Sequence, residues 1–231
     1  MEAILREGLT ALSLPTEGIP ALLRYWELLA EKNKVMNLTA ITDPAEAARL
    51  HFLDSAALLA LADLRGKTVV DVGTGAGFPG LPLKILEPSI QLTLLDAQRK
   101  RVDFLREVCG ELGLEDVDCV HGRAEEFAQQ HRETFDLAVS RAVAALPVLA
   151  ELCLPLVKTG GQFLAMKSVD SNEELNASER AAGVLGGRLE KPLDYVISGT
   201  NIPRRLVILT KIEETPKKYP RTFAKIKKNP L

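Results

Sequence analysis

Apolar positions in the first sixty residues recur every three to four places. Ile19, Leu22, Leu23, Trp26, Leu29 and Ala30 fall on one helical stripe, and Asn33 is placed to cap its end. Asn37-Leu38-Thr39-Ala40-Ile41 breaks the period and reads as an extended or looping stretch. A further helix is predicted from Thr42-Asp43-Pro44-Ala45-Glu46 to about Ala62, with Asp43 as N-cap, Pro44 at N1 and Glu46 at N3. After Arg65-Gly66-Lys67 the grain changes to short β-branched and aliphatic runs. Strands are predicted over residues 68–72, 91–96, 118–120, 135–139 and 162–167, with helices over 99–112, 144–156 and 172–185. Two last strands, 194–197 and 205–210, are joined by a loop too short for a crossover helix, so they should pair antiparallel. Strands alternating with helices predict a doubly wound α/β sheet of seven strands, five parallel and a terminal antiparallel pair.

Composition removes several function classes. The 231 residues are 46% hydrophobic and 26% charged, which excludes a disordered chain and a disulfide scaffold. No apolar run approaches the ~18 residues of a membrane span, and Met1 to Arg6 lacks the basic-then-apolar pattern of a signal peptide. Cys109, Cys119 and Cys153 are an odd set without CxxC spacing, so they read as reduced thiols of a cytoplasmic protein and not as a zinc site. No metal and no membrane partner are expected, and the chain is expected to act as a monomer. The length suggests one domain with appendages: a helical extension over residues 1–64, a body over 65–212 and a basic tail over 213–231. The net charge of −2 conceals an asymmetry, because residues 203–231 carry +7 and the remainder −9. A cationic tail on an acidic body fits a polyanionic partner, and equally a solvated terminus.

The most informative segment is Asp71-Val72-Gly73-Thr74-Gly75-Ala76-Gly77-Phe78-Pro79-Gly80. It follows a strand and precedes a helix, where ligands of open α/β sheets sit, and glycine lets the backbone approach a ligand closely. Gly75-x-Gly77-x-x-Gly80 formally matches a dinucleotide fingerprint. The frame Asp71-x-Gly73-x-Gly75-x-Gly77 fits S-adenosylmethionine better. Its carboxylate at the strand end can hold a cationic amino-acid moiety, directly or through water, and would repel a diphosphate. Five parallel strands plus an antiparallel pair is also the strand count of a class I, Rossmann-like methyltransferase. Asp96, ending the next strand, can accept from both ribose hydroxyls of either cofactor, or bond the start of the following helix. Ala124 and Glu125 follow the third strand, where an adenine would lie; Glu125 reads equally as an acid favoured by a helix N-terminus.

Taken together, the loop with its Phe78-Pro79 continuation, Asn33-Lys34-x-Met36-Asn37-Leu38-Thr39, His51-Phe52-Leu53-Asp54-Ser55, Gly122-Arg123-Ala124-Glu125-Glu126, Ser140-Arg141-Ala142-Val143-Ala144 and Lys218-Tyr219-Pro220-Arg221 resemble the RsmG/GidB family of bacterial 16S rRNA guanine-N7 methyltransferases across nearly the whole chain. The resemblance implies cofactor contacts at Gly73, Phe78, Ala124, Glu125 and Arg141, and a substrate in 16S rRNA or the small ribosomal subunit. The chain departs from the family pattern at Lys167-Ser168 and at Thr222 to Lys227.

Guanine N7 carries an in-plane lone pair and no proton, so its methylation requires alignment and no general base. The sequence agrees: no (Asp/Asn)-Pro-Pro-aromatic element follows the fourth strand, and Cys153 lies in an apolar run that reads as core. No acid–base residue is assigned. Arg141 is the positioning candidate, for a cofactor carboxylate or for guanine O6, with Asn37 and Thr39 at the entrance or in local turn bonding. His51 faces the substrate mouth or packs. Trp26 and Tyr25 read as core and rim of the N-terminal helices and not as a base-stacking platform. Phosphate contacts are expected from Arg204, Arg205, Lys217, Lys218, Arg221, Lys225, Lys227 and Lys228. Two other readings are a nicotinamide-dependent oxidoreductase and an RNA-binding module with a vestigial cofactor fold.

Overall fold

The β-branched run after Lys67 forms an interior strand of the sheet. The computed structural model describes residues 1–141, 144–170 and 172–231, so Ala142 and Val143 of the Ser140 to Ala144 block lie outside the described residues. The strands are β1 (Thr68–Val72), β2 (Gln91–Asp96), β3 (Val117–His121), β4 (Phe135–Arg141), β5 (Val157–Lys167), β6 (Gly187–Leu189), β7 (Leu193–Val196) and β8 (Pro203–Lys211). They form one sheet in the order β3-β2-β1-β4-β5-β8-β6, with β7 also on β8. The first five are parallel, and β8 runs antiparallel to β5, β6 and β7.

The expected α/β class, the five parallel strands and the antiparallel end are therefore present, with eight strands among the described residues in place of seven. The additional strand, β6, is half of a split edge. Leu189 pairs with Leu209 and Leu193 with Leu206. Between them Glu190 N still donates to Ile208 O (2.9 Å), while Pro192 has no N–H to offer. Three residues beginning with glycine show no alternation to read. β5 also starts earlier than expected, because Phe135 pairs with Val157 but Leu137 with Gln162, so the sequence between them bulges.

Side chains along the strands alternate between two cores. Val69, Leu137, Val139, Leu164 and Leu206 join the first, with α1 (Glu2–Ala11), α2 (Ile19–Met36), α4 (Asp54–Leu61), α5 (Gly80–Leu86) and α6 (Arg99–Leu112). Val70, Val72, Ala138, Phe163, Ala165 and Val207 join the second, with α8 (Leu146–Cys153) and α9 (Asn172–Val184). Cys153 is buried there, as its apolar run implied. Cys109 and Cys119 are free thiols whose sulfurs lie 3.9 Å apart.

The helix expected from Asp43 is one run with a wide middle. Asp43 Oδ1 accepts from Ala45 N (2.9 Å) and Glu46 N (2.8 Å), opening α3 (Pro44–Ala47). A π-helical segment over Ala48–Leu53 then leads into α4. Such wide turns recur at functional sites, and this one carries His51. At the other end of the chain, α10 (Phe223–Lys228) and the segment before it dock on the body. Arg132 donates to Tyr219 O (2.8 Å), Pro216 O (3.2 Å) and Thr215 O, and Ile226 is fully buried.

Candidate functional site

The segment joining β1 to α5 is held from below. Gly73 N donates to Leu95 O (2.8 Å) and Gly75 N to Asp96 Oδ2 (3.0 Å), tying the loop to β2. Asp71 Oδ2 accepts from Thr74 Oγ1 (2.7 Å) and Gly80 N (2.9 Å), so the strand-end acid braces its own loop. Gly75, at φ +62°, has nothing closer than 4.0 Å to an added Cβ, so its open side keeps room for a ligand. Gly77, at φ +105°, is packed instead: a Cβ there would lie 2.5 Å from Tyr25 Oη. Tyr25 itself is fully buried and donates to Ala76 O.

Above the loop lies a cavity of about 440 Å³. Leu38, Thr39 and His51 close one side, Gly73 to Ala76 and Phe78 form the floor, and Asp96, Gln98 and Arg101 line the β2 side, with Arg141 at the β4 side. Phe78 stacks on His51 (4.4 Å between centroids) and on Tyr25 (5.3 Å), with Arg141 5.1 Å above the Phe78 ring.

Arg141 clamps the wide turn. Nη1 donates to Leu50 O (3.1 Å), His51 O (3.4 Å) and Asp54 Oδ2 (3.2 Å), and Nη2 to His51 Nδ1 (3.2 Å). Because Nδ1 accepts, Nε2 carries the imidazole proton and donates to Thr39 Oγ1 (2.8 Å). Thr39 is fixed in turn by Asn33, whose side chain bonds both Thr39 N and Thr39 O at 2.9 Å. Asn33 thus ends α2 by pinning the loop beyond it. Asp54, 2% exposed, also accepts from Tyr195 Oη (2.9 Å) and lies 3.8 Å from Arg204 Nε.

Burial first, and the Arg141 charge second, lower His51 to about 3. Its folded value lies below the unfolded one of about 6.5, so its stabilising contribution is complete above pH 6.5 and lost as pH falls toward 3. Asp71 acts in the opposite sense. Burial raises it to about 6, so acidification from 6 to 3.8 favours the folded chain. We expect the urea midpoint to fall more steeply from pH 6.5 to 4 in the native protein than in His51→Gln. Asp71 is common to both proteins and drops out of the difference.

Several expected residues stand elsewhere. Asp71 is fully buried behind the loop, so a ligand in this cavity does not meet it in the conformation seen; its Oδ1 has no hydrogen-bond partner. Gly77 faces the core. Asn37 is exposed, in the left-handed conformation that ends α2. Ala124 and Glu125, at the start of α7 (Ala124–Gln130), lie outside the cavity lining. Glu125 accepts from Arg123 Nε (3.2 Å) and Phe223 N (3.3 Å), joining the tail to the end of β3. Arg205 is bidentate with Asp194 (2.6 and 2.7 Å), its partner across β7 and β8. Arg221 is bidentate with the buried Glu151, and Arg204 turns inward toward Asp54. These three arginines answer carboxylates of the fold itself, which draws them away from a phosphate surface. Lys217 and Lys218 are exposed.

Two participants were missed. Arg101 lines the cavity 3.5 Å from Asp96; its signal was three cations opening a helix, where the macrodipole disfavours them. Asp54 had the signal of an acid within an apolar helical run, inside the His51 to Ser55 block.

Comparison with known proteins gives these contacts a context. Residues 18–196 match the family described as GidB, rRNA small subunit methyltransferase G. A ribosomal RNA small subunit methyltransferase G of Clostridium botulinum is 47% identical over 91% of this chain and 89% of its own. Its counterpart in Alkaliphilus metalliredigens is 47% identical over 99% and 98%. Among solved structures, TrmN from Thermus thermophilus superposes with TM-score 0.53 at 24% identity, over 68% of this chain and 48% of its own. The M. jannaschii TYW2 structure in complex with AdoMet gives TM-score 0.53 at 14% identity, over 67% and 71%. These structures share the fold, and the sequence relatives share nearly the whole length. On the match across residues 18–196 and the identity to full-length relatives, the chain belongs to the rRNA small subunit methyltransferase G family.

Proposed function

We propose that the chain is an S-adenosylmethionine-dependent methyltransferase acting on N7 of a guanine in 16S rRNA. The observation that carries this reading is the cavity in which the open side of Gly75, the Asp96 carboxylate and the His51–Arg141 pair face one another. Those groups fit the cofactor. Asp96, held in place by Gly75 N and Gln98 N, keeps lone pairs for ribose hydroxyls. Phe78, with Leu38, supplies apolar lining, and Arg141 is a fork for a carboxylate. The unsatisfied Oδ1 of Asp71 gives a cationic amino group a reason to sit nearby, through water or after a small shift of the loop.

S-adenosylmethionine supplies a methyl group on a sulfonium. The chain's residues supply alignment. No proton need leave guanine N7, and the imidazole in the cavity wall is not poised to take one: His51 Nδ1 already accepts from Arg141. The neutral His51 and the fixed guanidinium form a rigid edge against which a purine can be held.

Exposed Lys217, Lys218, Lys225, Lys227 and Lys228 supply the phosphate contacts in this reading. The bond from Phe223 N to Glu125 anchors their segment beside the end of β3, on the same sheet edge as the cavity. Among the described residues no helix is long and apolar enough to cross a membrane. A cytoplasmic location accords with an rRNA substrate.

Calorimetry tests the cofactor reading. The native chain should bind S-adenosylmethionine, and Gly75→Leu should weaken that binding by about 100-fold or more. The new side chain projects into the cavity, and its left-handed backbone costs about 1–2 kcal/mol. NADH binding without S-adenosylmethionine binding would reverse the assignment.

A further inference from the structure

A second cavity, of about 500 Å³, abuts the first. His51 and Arg141 line both, so this pair is a shared wall. The second cavity continues along the sheet edge toward β5 and β8, where Met166, Asp170 and Arg204 line it. Its apolar lining comes from Ile41, Leu50 and Met166, and its polar lining from three carboxylates and three cations.

The carboxylates differ in how far they are committed. Asp54 is held by Arg141 and Tyr195. Glu174 accepts from Leu146 N (2.9 Å) and pairs with Lys167 (2.7 Å). Asp170, in the turn after β5, makes no hydrogen bond among the described residues. Arg205, the cation that senses its charge, is already bidentate with Asp194. Among the described residues, one carboxylate is thus left to accept from something brought into the cavity.

The chemistry of guanine matches this layout. Its N7 and O6 share one edge, an acceptor pair suited to a cationic wall such as Arg141. Its N1–H and N2–H₂ donors lie on the remote edge and call for an acceptor on the far side. With N7 turned toward the shared wall, the remote edge lies toward the turn after β5, which carries Asp170. Adenine would place an amino donor beside N7, against the guanidinium, and would offer no N1–H.

Resting on the reading of the first cavity as the cofactor site, we propose that the second cavity receives the target guanine and that Asp170 reads its N1–H and N2–H₂ edge. Asp170 is a specificity-determining residue for methyl transfer and takes no part in holding the cofactor. Arg204, drawn inward by Asp54, keeps the cavity's charge balanced and leaves Asp170 as the acceptor.

The test compares RNA bearing guanosine at the mapped target with the same RNA bearing inosine, which lacks the 2-amino group. The native enzyme should favour guanosine in kcat/KM by about 10- to 100-fold, the range of one charge-assisted hydrogen bond. Asp170→Ala should lower kcat/KM on guanosine and bring the two substrates within about threefold, with calorimetric S-adenosylmethionine affinity unchanged. Asp170→Glu should restore part of the preference. A native enzyme indifferent to inosine, or an Asp170→Ala enzyme that keeps the full preference, would overturn the assignment even with the cofactor bound. Failure of the native chain to bind the cofactor at all would overturn the underlying reading instead.

Discussion

Arg221→Ala is expected to lower the free energy of unfolding by about 3–5 kcal/mol, the usual result of stranding a buried charge. Glu151 has no solvent exposure. Its carboxylate accepts from Arg221 N (2.8 Å), Nε (2.8 Å) and Nη2 (2.6 Å). Removing the side chain leaves only the backbone donor. Arg221→Lys keeps the charge and loses the planar fork, so an intermediate loss is expected. Pairing Arg221→Ala with Glu151→Leu should recover most of the stability, because an apolar replacement removes the stranded carboxylate as well. Urea denaturation of the three proteins provides the measurement. A loss below 1 kcal/mol in the single variant would show that the tail does not fasten the fold as its geometry indicates.

Arg141→Ala is expected to reduce kcat/KM for rRNA methylation by at least 100-fold. Nothing needs to clash for this to happen. The guanidinium holds two backbone carbonyls of the wide turn, Asp54 and His51 together. Releasing them displaces the shared wall, and a displacement of about 1 Å suffices for a loss of that order. Arg141→Lys should still lose about tenfold, since one ammonium cannot reproduce the fork. A second readout separates this role from simple destabilisation. The Arg141 charge contributes to the lowered pKa of His51, so in Arg141→Ala the imidazole should titrate at higher pH in NMR. An Arg141→Ala enzyme with native turnover would remove Arg141 from the site.

The sequence showed the scaffold more clearly than the site. Val69, Val70 and Val72 announced an interior strand because a strand buried on both faces reads as a near-continuous apolar run, broken here only by Asp71. Asp43 and Pro44 announced a helix start because a cap is local chemistry. The glycine loop was equally visible, and so were His51 and Arg141 as candidates. Their partnership was not visible, since it joins residues ninety positions apart through a wide helical turn that no local pattern marks. Charge in the sequence does not reveal its partners. Arg205 and Arg221 look like RNA contacts in a list of cations, yet each has a carboxylate partner that only the fold supplies, across a strand pair for one and a buried helix for the other. For Asp71 the bracing role was hidden in the same way, because the hydroxyl and amide that occupy its Oδ2 are brought to it by the turn.

The contact between Tyr25 and the carbonyl of Ala76 has a wider meaning. Helix α2 lies under the glycine loop, and the residues just beyond it, Leu38 and Thr39, complete the cavity wall. The amino-terminal third of the chain is therefore built into the pocket as a buttress. A protein shortened to begin at the first strand would have a floor without its underpinning and an enclosure missing one side. Any transplant of this pocket has to carry the leading helices with it to keep the enclosure whole.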